Sequence, residues 1–194
     1  MTPQERAPRV VTNWIWWGVL ALPAPLIVAP LVAGAPWRAA IGPSGQVAAL
    51  LLAVALGIGP LNAVGGGRRP TAWLLARRRH LGVASFLYAL LHLAVFLPAV
   101  GRADWILQGM AYATMWTGWL AMLALTVVAA ASNPPAERRL GRAWKPLQRL
   151  AWLAALLALA HWFMLARQPV QAIALASAVG LLQAARLWKR RTGA

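Results

Sequence analysis

The sequence predicts an all-α integral membrane protein, a bundle of six transmembrane helices. Three observations predict it. Of the 194 residues 61% are hydrophobic and only 11% charged, against about 45–50% apolar and 25% charged in soluble domains. The apolar residues gather into long runs, each near the ~20 residues that a helix needs to cross a bilayer. The cations stand almost entirely between those runs, with only Arg186 inside one, near its end.

The first run spans 14–32 and carries Pro23, Pro25 and Pro30, which remove donors and kink a helix. It lacks a small-residue cleavage site and follows a polar tail, so it reads as a retained span, not a signal peptide. A polar stretch, 34–46, ends it. The second run is 47–64. A basic loop follows over 65–80, with Arg68, Arg69, Arg77, Arg78 and Arg79. Gly65-Gly66-Gly67 reads as a turn, because no strand precedes it and no βαβ unit fits around it. The third run is 81–100, the fourth 106–131, the fifth 150–165 and the sixth 170–188. This divides the chain into a cytoplasmic tail (1–13), a six-helix transmembrane domain (14–188) and a basic cytoplasmic tail (189–194).

Charge sets the orientation. The chain holds 19 Lys+Arg against 3 Asp+Glu, a net charge of +16. With both termini cytoplasmic, sixteen cations fall inside, and only Arg38, Arg102 and Arg167 fall outside. That is a strong positive-inside pattern. It accounts for the charge without nucleic acid and leaves a lipid bilayer as the environment, with some cations facing anionic lipid.

Chemistry is sharply limited. Cysteine is absent, which removes disulfides, thiolate metal sites, iron–sulfur clusters and thiol catalysis. The three carboxylates, Glu5, Asp104 and Glu137, lie in tails or loops, so no acidic pair forms inside the membrane. The histidines remain. His92 in the third run and His161 in the fifth are each about 12–14 residues from the basic side, roughly 16–21 Å deep. Two imidazoles at one depth on parallel helices suit a haem held between them. Ser85 and Ala89 lie seven and three residues before His92, and Ala154 and Ala158 seven and three before His161, giving clearance for a flat macrocycle. The other readings are that each histidine simply bonds a carbonyl, and that the small residues are plain helix-packing faces. Zinc needs three or four ligands, and His80 ends an arginine run at the interface. Haem propionates, costly in hydrocarbon, would point to the nearer outer face, where Arg102 and Arg167 follow the two histidine helices.

The run Arg78-Arg79-His80-Leu81-Gly82, followed by Tyr88-Ala89-Leu90-Leu91-His92, resembles the third helix of the ferric-reductase-like transmembrane family. Its closest branch is the haem-binding membrane subunits of periplasmic methionine-sulfoxide reductase systems. Ser132-Asn133, Arg138 through Trp144, Leu147 and His161-Trp162-Phe163 resemble that branch's fourth loop and fifth helix, and Tyr112 to Gly118 the start of its fourth helix. The resemblance implies haem b on His92 and His161. It places a second family ligand at Gln148, a poor iron ligand, and so implies one haem. It also implies FMN or quinone as further redox groups, with quinone or a cytosolic flavin reductase as donor. The implied acceptor is a periplasmic molybdopterin reductase subunit, in a bacterial inner membrane. The chain would then be the electron-transfer subunit of an oxidoreductase, not a stand-alone enzyme. The reading from another class is a cofactor-free transporter or assembly factor whose histidines act as structural glue or a proton relay.

Overall fold

A computed structural model describes residues 14–165 and 169–192, and every regular element among them is helical. Five helices are long and apolar enough to cross a membrane, and a bent pair makes a sixth. That pair is α1 (Trp14–Ala21) and α2 (Pro23–Val32), which meet at 43°. Pro23 starts α2, where its missing N–H is harmless. Beside the break the Tyr88 hydroxyl donates to the Leu20 carbonyl at 2.9 Å, so a neighbouring helix serves the backbone there.

α3 (Arg38–Val64) runs for 27 residues, about 40 Å, and is the central element. This corrects the expected polar stretch over 34–46. The helix begins nine residues before Val47 and carries Gly42, Pro43, Ser44, Gly45 and Gln46 within it. Turn-forming residue types misled the sequence reading. In the bundle Ser44 is fully buried, and its hydroxyl donates to the carbonyls of Ala40 at 2.7 Å and Ile41 at 3.0 Å. After Val64 the chain turns through Gly66 and Gly67, at φ of 70° and 68°, values that glycine adopts freely.

The basic loop contains a short helix, α4 (Arg69–Ala76). α5 (Arg78–Val100) then carries His92. The fourth apolar run is not one helix. α6 (Ala103–Gly109) ends in a turn, Tyr112 is extended, and α7 (Ala113–Ala130) makes the span. α8 (Pro134–Leu140) is capped by the Asn133 side chain, which accepts from the Ala136 amide at 2.8 Å. A 3-10 turn leads to α9 (Trp144–Gln148) and α10 (Leu150–Leu165), which carries His161. α11 (Val170–Thr192) continues four residues past Trp188, and Lys189, Arg190 and Arg191 form its last turn.

α3 packs most extensively on α5, and α7 on α10, and these two pairs enclose the centre of the bundle. Leu52, Leu56, Tyr88, Ala89, Leu125 and Ala154 share one buried cluster. The outside is apolar as well: Leu26, Leu123, Leu156 and Leu181 are each more than 60% exposed. A surface of that kind suits lipid, not water.

Candidate functional site

His92 lies nearer the Val100 end of α5, and His161 nearer the Leu165 end of α10. The bundle brings them together. Their ring centroids are 6.4 Å apart with planes at 88°. Nδ1 of His92 lies 2.9 Å from the Ile41 carbonyl oxygen, and Nδ1 of His161 lies 2.6 Å from that of Thr114. A carbonyl only accepts, so Nδ1 carries the proton in both rings, and each Nε2 keeps a lone pair for a metal. Such an Nδ1–H bond to a backbone carbonyl is the usual anchor of a metal-ligating histidine.

Both rings lie against helix backbone, and glycine makes the room. A Cβ on Gly45 would stand 3.0 Å from Nδ1 of His92, and one on Gly118 would stand 2.9 Å from Cε1 of His161. Between the rings and the helices lies a cavity of about 790 Å³, inside the ~300–1,000 Å³ range of small-molecule and cofactor pockets. It reaches from Leu52 and Leu125 to the end of the bundle, where Gly42, Gln46, Val170 and Gln171 line it. Ser85, Ala89 and Ala158 line it as the sequence predicts, with Ala48, Ala121 and Trp162 beside them. Ala154 does not; it is fully buried in the helix packing, as one of the core residues.

The pair fits a haem. Metal–imidazole bonds of about 2.0–2.1 Å, with each nitrogen roughly 1.1 Å from its ring centre, put two coaxial rings on one iron about 6.2–6.4 Å apart. The observed spacing is 6.4 Å. Among the described residues no group of three or more His, Cys, Asp or Glu is placed to hold a bare ion. Two imidazoles lining a largely apolar cavity suit a macrocycle that brings four ligands of its own.

Arg102 does not line the cavity. Its guanidinium makes a two-pronged bond to Asp104 at 3.0 and 2.7 Å, which holds the Asp104 carboxyl below the usual carboxylate range and raises the arginine. Arg167 lies outside the described residues. His80 packs edge-on against Trp17 at 5.3 Å, and its buried Nδ1 has no partner among the described residues. Gln148 donates to the Ser132 hydroxyl at 3.2 Å and the Val128 carbonyl at 3.4 Å, closing the end of α7. Sequence reasoning missed Ser44, Gly45, Thr117 and Gly118. Their signal was a Ser-Gly or Thr-Gly pair in an apolar helix, a poor place for glycine unless something lies against it.

Residues 44–159 match the model of the ferric reductase like transmembrane component, a stretch that contains His92 and stops two residues before His161. The chain is 31% identical over 191 residues to the protein-methionine-sulfoxide reductase heme-binding subunit MsrQ of Xanthomonas axonopodis pv. citri (strain 306). It is 32% identical to the MsrQ subunits of Xanthomonas campestris pv. campestris strains B100 and 8004. Each match covers 95% of this chain and 82% of the relative.

Proposed function

The chain belongs to the ferric reductase like transmembrane family, and from that premise we propose that it moves electrons through a membrane by way of one b-type haem, as a subunit of an oxidoreductase. The observation that carries the reading is the 6.4 Å spacing of two imidazoles whose Nδ1 atoms are both tied to carbonyls.

In this reading His92 and His161 would hold the haem iron through Nε2. The haem, when bound, supplies a one-electron couple between ferric and ferrous iron. The rest is done by the chain. Ile41 and Thr114 hold the rings in one tautomer and orientation. Gly45 and Gly118 give the rings room beside the helices. The apolar wall of Ala48, Ala89, Ala121 and Ala158 keeps water from the site, which sets the potential. No acid or base is required.

The relatives' name supplies the proposed acceptor, a methionine-sulfoxide reductase, which the resemblance makes a periplasmic molybdopterin enzyme. Quinone or a cytosolic flavin reductase is the proposed donor, with FMN or quinone as the delivering group. The sixteen-to-three cation split supports an inner membrane with both termini cytoplasmic. The cavity then reaches toward the outer face, with Gln46 and Gln171 at its mouth, and a haem held there would have its propionates near them. Arg102 would hold a propionate by exchanging Asp104 for it, and Arg167 is the second cation proposed. An absorption spectrum of protein purified from haem-replete cells tests the reading. A dithionite-reducible low-spin haem is expected; a colourless protein favours the cofactor-free transporter or assembly factor.

A further inference from the structure

The two histidine seats are built alike. On α3, Ile41 offers the carbonyl to His92. Ser44, three residues on, sends its hydroxyl to the Ala40 and Ile41 carbonyls, and Gly45, four residues on, leaves room for the ring. On α7, Thr114 offers the carbonyl to His161. Thr117, three residues on, sends its hydroxyl to Ala113 at 3.1 Å and Thr114 at 2.9 Å, and Gly118, four residues on, leaves room for the ring. The likeness continues down both helices. Ala48 and Leu52, then Ala121 and Leu125, line the cavity at matching offsets of three and seven residues from the glycines.

We propose that the haem seat is two copies of one two-helix unit, in which Ser44–Gly45 and Thr117–Gly118 are positioning residues for the axial histidines. This deepens the haem reading above and rests on it. α3 with α5 makes one copy, and α7 with α10 makes the other.

The roles follow from lone pairs and space. A carbonyl oxygen has two lone pairs. In a helix one of them takes the amide four residues on, which here belongs to the glycine. The hydroxyl and the imidazole Nδ1–H share the other. In the first seat the Ser44 Oγ also stands 3.4 Å from Nδ1 itself. Removing the hydroxyl leaves the carbonyl a stronger acceptor for Nδ1–H. The ring then becomes more imidazolate-like and favours ferric iron. The glycines act by geometry: a Cβ at about 3 Å pushes the ring off its carbonyl and spoils its aim. A purely structural glycine inside a helix behaves otherwise, because alanine there is the more stable residue.

The experiment compares Gly45→Ala, Gly118→Ala, Ser44→Ala, Thr117→Val and Thr117→Ser in the full-length protein. Gly59→Ala is the control, since nothing lies within 4 Å of a Cβ there. Haem titration, midpoint potential and melting of the haem-free protein are measured. Each Gly→Ala change at the seats is expected to weaken haem binding about 10–100-fold, without lowering the haem-free melting temperature. Ser44→Ala and Thr117→Val are expected to keep haem but lower its potential, and Thr117→Ser to restore it. A tenfold bias toward the ferric form reads as about 59 mV for one electron. Wild-type affinity and potential in all the seat variants, or a haem loss equalled by Gly59→Ala, overturn the proposal. A wild-type protein that takes up no haem overturns the haem reading itself.

Discussion

The ring centroids of His92 and His161 stand 6.4 Å apart with their planes at 88°. Neither ring is free to turn toward the other's orientation. Each is held at Nδ1 by a carbonyl of a different helix, Ile41 on α3 and Thr114 on α7, and each has a glycine backbone behind it. The right angle is therefore a property of the four helices.

It has a spectroscopic consequence. Crossed imidazoles on one haem iron would leave its two dπ orbitals nearly degenerate, so the ferric protein is expected to give a strongly anisotropic low-spin electron paramagnetic resonance signal. The ordinary rhombic signal of parallel ligand planes counts against the crossed arrangement.

Haem stoichiometry follows from Gln148. It stands thirteen residues before His161 and spends its amide on Ser132 and Val128. One haem per chain is expected from pyridine-haemochrome quantification. Two per chain would mean that a second seat exists, with His80 the residue to examine first.

How much of this was legible in the sequence follows a physical line. Hydropathy sees the change from lipid to water, so the six apolar runs and the half-buried His92 and His161 within them could be read directly. It does not see a turn made of apolar residues, so the break between α6 and α7 at Gly109–Tyr112 passed as one helix. Composition also read Gly42-Pro43-Ser44-Gly45 as a loop. In a bundle that must bring an imidazole against a helix, those small residues are what close approach requires. Ala154 matched the expected spacing, but it is buried in the packing of the helices.

Topology rests on sixteen cations against three. A phosphatase fused after Ala194 is expected to be inactive, and a fluorescent reporter at the same place to be bright. Periplasmic phosphatase activity would reverse the orientation and, with it, the proposed donor and acceptor sides.

The Arg102–Asp104 pair gives a pH prediction. Asp104 is depressed by its arginine, so the pairing is complete above the ordinary carboxylate range and is lost only as pH falls through the lowered value. Haem retention is expected to be flat from pH 8 to about 5 as far as this pair is concerned. Asp104→Asn frees Arg102 for a propionate and is expected to tighten haem binding, and Arg102→Gln to weaken it. Wild-type haem affinity in both variants removes Arg102 from the propionate site.

The most direct test of the account is the reduced-minus-oxidised spectrum of three single variants beside the wild type. His92→Ala and His161→Ala each remove one of the two imidazoles in the cavity, and His80→Ala alters a ring that packs on Trp17 outside it. The account predicts that the first two lose the low-spin haem signal while His80→Ala keeps it at wild-type stoichiometry. Retention of that signal in His92→Ala or His161→Ala, or equal loss in all three, would contradict it.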